Sequence, residues 1–172
     1  MIRRASPEDL DILVHLSART FRETYGPNLD PAEVEDYVAS NFTAARIAEQ
    51  VADPSSTFFL GYVMGQPVGY ATLRSGPAPA CVPGPRPVEL SRLYLVENVI
   101  GKGHGAALMR ACLEAAQGLG FETMWLGIWQ GNVRARAFYQ KWGFKDVGTH
   151  EFIFGGIVDH DPVMARPVKK AA

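Results

Sequence analysis

Three glycines, Gly101, Gly103 and Gly105, fall within five residues in the stretch "VIGKGHG". Before them runs "VELSRLYLVEN", apolar-rich and extended in pattern; after them runs "AALMRACLEAAQGLG". In the latter, Leu108, Ala111, Cys112, Ala115 and Leu119 share one face at helical spacing. A glycine cluster between a strand and a helix lets the backbone turn sharply and approach a ligand without side-chain hindrance. The helix start behind it offers unpaired N–H donors and a partial positive charge. The default ligand is a phosphate or pyrophosphate. Lys102 and His104 lie between the glycines; Lys102 either adds charge or points to solvent. Several readings compete. A ligand-free turn is one. A Rossmann loop needs G-x-G-x-x-G, and the spacing here is G-x-G-x-G. A Walker loop needs G-x-x-x-x-G-K-[ST], which is absent. A third kind of phosphate loop remains.

The rest of the chain supplies the frame. "MIRRA" reads as a short strand. Ser6 is an N-cap ahead of Pro7, and Leu10, Leu13, Val14, Ser17, Ala18 and Phe21 carry a helical face to about Tyr25, where Gly26-Pro27 stops it. "LDPAEVEDYVASNF" and "TAARIAEQVADP" give two more helices. "STFFLGYVMGQPVGYATLRSG" reads as a hairpin around Gly65-Gln66-Pro67. "GPAPACVPGPRP", residues 76–87, is a proline-rich surface loop. A strand at 88–97, the helix after Gly105, a strand "TMWLGIW", a helix from near Asn132 and a terminal hairpin complete the order. This order, β-ααα-ββ-β-α-β-α-ββ, predicts an α/β (mixed α+β) fold with a mixed sheet and helices on both faces. At 172 residues a single domain, 1–172, is expected. Two cysteines are too few for a disulfide scaffold, and a reducing, cytoplasmic setting is the simpler reading. A net charge of −1 gives no field favouring nucleic acid or an anionic membrane, and no apolar run reaches spanning length.

The glycine stretch resembles motif A of the GNAT (Gcn5-related) N-acetyltransferases, [Q/R]-x-x-G-x-[G/A]. Gly103 and Gly105 match its small positions; Ile100 stands where the family prefers Gln or Arg. "WLGIWQGNVRARAFYQKWGF", 125–144, resembles motif B. There Asn132 and Tyr139, seven apart, share a helix face, with Ala135 between them; Phe138 and Trp142 form a neighbouring core-facing strip. With "ARTFRETYG", "ELSRLYL" and "HEFIFGG…DHDPVMAR", the chain is similar to the PaiA-like polyamine N-acetyltransferases over nearly its whole length. The resemblance implies a mostly antiparallel sheet of about seven strands, splayed between strands 4 and 5, and direct transfer of an acetyl group from acetyl-CoA to an amine. Pantetheine amides would pair with Leu93, Tyr94 and Leu95, where a free N–H would stabilise the oxyanion. Gly101, Lys102, Gly103, His104, Gly105 and Ala106 would hold the pyrophosphate. Asn132 would position pantetheine.

A primary amine with pKa about 10.4 is unprotonated in only ~1 molecule in 10³ at neutral pH. Glu89, eleven residues before Ile100, stands at the offset where some GNAT enzymes carry a glutamate base. It acts directly or through water; the competing reading pairs it with Arg92 or another cation. Tyr139, a phenol of pKa near 10, is the candidate acid for the departing thiolate. Cys112, buried on its helix, is no candidate for an acyl-enzyme.

By resemblance, the acceptor pocket is walled by the first two helices, the loop between them and the terminal hairpin. These carry Glu23, Asp30, Glu33, Glu35, Asp36, Glu151, Asp159 and Asp161, which suit a polycation such as spermidine or else form solvated faces. His15, His104, His150 and His160 show no i,i+4 ligand pair, so no metal is expected. The alternatives are an acceptor that is an amino acid, an aminoglycoside, a small xenobiotic amine or a protein N-terminus, and a non-catalytic acyl-CoA-binding regulator. A homodimer is an option that relatives suggest.

Overall fold

The structure is a computed structural model that describes residues 1–154 and 156–169, excepting the side chains of Phe152 and Phe154. Strands β1 (Ile2–Arg4), β2 (Ser56–Val63), β3 (Gln66–Ser75), β4 (Pro87–Leu95), β5 (Thr123–Gly127), β6 (Lys145–Phe154) and β7 (Ile157–Pro167) alternate with helices α1 (Leu10–Tyr25), α2 (Pro31–Asn41), α3 (Ala44–Ala52), α4 (His104–Gly118) and α5 (Val133–Lys141). The strands form one open seven-stranded sheet in the order β1-β2-β3-β4-β5-β7-β6. β4 and β5 are parallel, whereas β1–β2, β5–β7 and β6–β7 are antiparallel. The mixed α/β expectation, the seven strands and the element order are all found. The contacts divide the chain into two compact units: Met1–Leu73 with Arg92–Cys112, and Arg74–Ser91 with Leu113–Ala172.

In the first unit α1 and α2 pack through aromatic rings. Phe21 stacks on Tyr37 at 4.5 Å and meets Phe42 edge-on at 5.6 Å. Leu13, Leu16, Ile47, Leu60, Tyr70 and Leu108 are fully buried, each such side chain contributing roughly 1.5–3 kcal/mol of transfer free energy. Ser6 is the N-cap expected, at the 3₁₀ turn Pro7–Asp9, and forms a capping box with Asp9, whose carboxylate reaches back to accept the Ser6 N–H at 2.9 Å. Asp9 also accepts two bonds from the Arg3 guanidinium, at 2.8 and 2.6 Å. The guanidinium beside it holds the Asp9 carboxyl down at about 2. A carboxyl depressed in the folded state stabilises the fold above its unfolded value, near 3.9, and loses that contribution as pH falls through the folded one. Calorimetric melts should therefore show the midpoint dropping between about pH 4 and pH 2, and Asp9→Asn should remove that component. A drop of equal size in the variant would assign it elsewhere.

The β2–β3 turn is Met64-Gly65, both with positive φ (47° and 77°), as a two-residue hairpin turn requires. The turn thus precedes the expected Gly65-Gln66-Pro67, and Pro67 lies inside β3.

In the second unit Trp125, Val163 and Ala165 form a core covered by Ala78, Cys81, Val82 and Val147. The proline-rich segment is therefore more than a surface loop: its middle packs on the sheet while Pro83–Arg86 stay exposed. Gly148 faces Cys81, and a Cβ there would come within 2.6 Å of the Cys81 Cβ. Helix α4 buries Leu108, Met109, Cys112 and Ala116, a face rotated from the expected one. Leu119 lies beyond the helix end and is 54% exposed.

Candidate active site

The first unit holds a strand end, a turn and a helix start. Leu93, Tyr94 and Leu95 close β4. Gly69 on neighbouring β3 admits their backbone closely: a Cβ there would lie 2.6 Å from the Tyr94 carbonyl and 3.3 Å from the Leu95 Cα. Tyr94 is fixed on its other side by its hydroxyl, 3.0 Å from that of Tyr25. The chain then passes through a 3₁₀ turn, Glu97–Val99. The Glu97 N–H donates to Glu23 at 2.7 Å, and Glu23 is itself held by Arg19 at 2.8 Å. Glu23, expected among the acceptor-side acids, is a strut for the glycine turn. A sequence reading could not reach it, because its partner is a backbone group 74 residues away.

Gly101 and Gly103 have φ of +82° and +88° with open space where a side chain would stand. Their role is thus conformational rather than packing. The first turn bond of α4 runs from the Ala107 N–H to the Gly103 carbonyl at 3.1 Å. The N–H groups of His104, Gly105 and Ala106 precede it and have no carbonyl one helical turn back. Lys102 is exposed at the turn, and His104, Gly105 and Ala106 are half-buried. A turn of this kind ahead of a helix start is a geometry that suits an anion.

The second unit holds the candidates Glu89, Asn132 and Tyr139. The parallel β4–β5 ladder has three register pairs, ending at Glu89↔Trp125, and β4 runs on for six residues to Leu95. Glu89 pairs with Arg74: both Nε (3.2 Å) and Nη2 (3.0 Å) donate to Oε2. Arg92, the cation named from sequence, instead donates to Gln50 at 2.8 Å and lies over the Phe42 ring. Arg74 and Glu89 sit on strands either side of the loop 76–86 that joins β3 to β4.

Asn132 caps α5, its Oδ1 accepting the Ala135 N–H at 3.2 Å. Tyr139 is 9% exposed, packed edge-on against Phe144 and Phe138. The expected face is corrected here: Phe138 and Trp142 are half-buried, and Tyr139 goes deeper. The helix is anchored by an Arg136–Asp146 ion pair, and Arg166 donates to the Trp142 carbonyl.

Burial pushes the Cys112 thiol up to about 12, so no thiolate forms there near neutrality. Cys81 is half-buried and free. Folded protein treated with iodoacetamide should therefore lose Cys81 and keep Cys112, with both reacting in denaturant. Native-state labelling of Cys112 would contradict its burial. Among the described residues no group of three or more His, Cys, Asp or Glu side chains could hold a metal ion, and no helix is long and apolar enough to cross a membrane.

An open mixed sheet with β4 and β5 parallel at its middle, and a strand ending in a glycine turn ahead of a helix, is GNAT architecture. The sequence profile of the Acetyltransferase (GNAT) family matches residues 12–144. An uncharacterized N-acetyltransferase of Mycobacterium tuberculosis is 39% identical over 158 residues, covering 92% of this chain and 97% of that protein. An uncharacterized N-acetyltransferase of Lactobacillus delbrueckii subsp. lactis is 27% identical over 154 residues, covering 90% and 89%. The crystal structure of the PaiA N-acetyltransferase from Thermoplasma acidophilum in complex with coenzyme A superposes with TM-score 0.80 at 20% identity, covering 97% of this chain and 98% of that one. A GCN5-related N-acetyltransferase from Rhodopseudomonas palustris gives 0.75 at 17%, covering 97% and 94%. The chain belongs to the GNAT acetyltransferase family and is an N-acetyltransferase.

Proposed function

We propose that the protein binds acetyl-CoA and transfers its acetyl group directly to a primary amine, a polyamine such as spermidine being the first acceptor to try. The observation that carries this is the glycine turn, whose positive φ at Gly101 and Gly103 delivers the free N–H groups of α4. A coenzyme A diphosphate fits such a helix start. The pantetheine arm would pair with Leu93–Leu95 as an added strand, and a backbone N–H there would meet the developing oxyanion. Tyr139 would give its proton to the departing thiolate. Glu89 keeps Oε1 clear of Arg74, and this oxygen is the one available to the ammonium or to an intervening water. Binding residues are thus Leu93–Leu95, Gly101–Ala106, Asn132 and Tyr139. The two free cysteines fit a reducing compartment such as the cytoplasm.

Several of the acids expected to draw a polycation are already engaged. Glu23 serves the turn, Glu35 pairs with Arg22 at 2.7 Å, and Asp30 caps α2 through the Ala32 N–H at 2.8 Å. That observation favours a second reading, in which the acceptor is an amino acid or a protein N-terminus rather than a polycation. A thiol-release screen with acetyl-CoA decides: turnover with spermidine supports the first reading, and turnover confined to a neutral or amino-acid amine supports the second. No turnover with any amine, from protein that binds CoA, would overturn both.

A further inference from the structure

We propose that His150, backed by Asp161, takes the acceptor's proton and so completes the acid–base machinery of the second unit; this rests on the amine-acetylation reading above. The register of the sheet carries the argument. Residues paired across strands share a face, so Glu89, Trp125 and Gly127, Val163 and Asp161, and Gly148 and His150 all project from one side. His150 of β6 is directly opposite Asp161 of β7. From there the imidazole leans across β7 to β5. A Cβ added at Gly127 would overlap His150 Nε2, with Cδ2 and Cε1 next at 3.2 Å. The ring thus occupies the position that any other residue at 127 would fill. Gly127 is two residues past Trp125, the last β5 residue registered with β4. The imidazole accordingly lies on the Glu89 face, just beyond the point where that ladder stops.

Asp161 is 5% exposed, and its Oδ1 is buried without a hydrogen-bond partner. A buried carboxylate oxygen left unmatched is costly unless a charge or donor can meet it. The carboxyl is pushed up by burial and by Asp159, and pulled down by His150 and by the Gln130 backbone N–H. An imidazolium forming on His150 is the cation that this oxygen lacks. Among the described residues, the charged groups on the face of His150 include Asp161 and Asp159 of β7 and, beyond the ladder's end, Glu89 of β4 with its partner Arg74; β5 presents the Gly127 backbone. Glu151 and His160 pair on the opposite face.

The step balances as follows. The acceptor's ammonium N–H bond breaks and an N–H bond forms on the imidazole. The freed lone pair attacks the thioester carbonyl carbon and gives a tetrahedral adduct; as the C–S bond breaks, the thiolate takes the Tyr139 proton and the nitrogen's second N–H proton passes to the phenolate, directly or through water. The imidazolium releases its proton to solvent, the one net proton of the reaction. On this proposal Glu89 holds the ammonium rather than serving as the base that the reading above gave it, since imidazole as a side-chain class titrates nearer neutrality than a carboxylate.

The test is the pH profile of kcat/KM for whichever amine the screen identifies, in wild type, His150→Gln, Asp161→Asn and His150→Ala with added imidazole. We expect His150→Gln to lower kcat at least tenfold at pH 7, leave the KM for acetyl-CoA unchanged and flatten the acidic limb. Asp161→Asn should lower kcat less, and imidazole should restore part of the His150→Ala loss. CoA binding by calorimetry checks that each variant is folded. A His150→Gln enzyme within twofold of wild type with its acidic limb intact overturns the proposal and leaves the acetyltransferase reading standing. A folded His150→Ala variant that imidazole does not rescue also counts against it. Wild type inert toward every amine would overturn the reading beneath it as well.

Discussion

Tyr139→Phe should cut turnover by about 10²–10⁴-fold while leaving the affinity for acetyl-CoA nearly unchanged, the range typical of losing a positioned general acid. The reason is local. The ring is 9% exposed and held edge-on by Phe138 and Phe144, and phenylalanine keeps those contacts. What disappears is one hydroxyl, worth about 1 kcal/mol to a fold when hydrogen-bonded, and the proton that the thiolate needs. A phenol near pKa 10 meets a thiol near 8.5, so the transfer is uphill by only about two units and is assisted by hydrogen bonding before the thiolate leaves. The loss should therefore fall on kcat, measured by thiol release, with calorimetry reporting an unaltered cofactor site. Unchanged turnover would remove Tyr139 from the chemistry and make the Asn132–Tyr139 face a structural one.

Gly103→Val should weaken acetyl-CoA binding tenfold or more. Gly103 has φ +88°, a region that β-branched residues occupy only at a cost of about 1–3 kcal/mol. Because nothing lies within 4 Å of the added Cβ, the penalty is wholly backbone. The chain can relieve it only by rotating out of the turn, which redirects the N–H groups ahead of Ala107. Gly65→Val provides the control. Gly65 also has positive φ, +77°, and open space around it, but it lies in the β2–β3 turn. Each kcal/mol lowers the melting midpoint of a chain this size by roughly 2–4 °C. Both variants should show comparable thermal losses, and only Gly103→Val should lose affinity. Equal affinity in the two would mean that the turn does not hold the cofactor.

The parts of this molecule that were legible in its sequence are those written locally. Strand β4, the glycine turn and helix α4 announce themselves by period and by glycine spacing within some thirty residues. The cap at Asn132 and the stop at Gly26-Pro27 are similarly short-range. What was not legible depends on partners far away in the chain. Glu89 could be placed on a strand, but Arg74 as its partner follows from strand pairing across a proline-rich loop. Glu23 reads as one more surface acid until the Glu97 N–H is found above it. On α5, Phe138 and Tyr139 are adjacent aromatics on a nine-residue helix. So short a helix gives too few turns for periodicity to say which ring is buried. Leu119 continued the apolar pattern of α4, but the helix ends at Gly118 and leaves it in solvent. His150 and Asp161 are eleven residues apart and unremarkable by composition; only the hairpin register sets them opposite one another.

Isothermal titration of acetyl-CoA into folded protein tests the central claim most directly. The glycine turn and the β4 end predict saturable one-to-one heat that Gly103→Val diminishes. An absence of heat with acetyl-CoA and with CoA, from protein whose melt shows a cooperative fold, would contradict the account whatever amine were supplied.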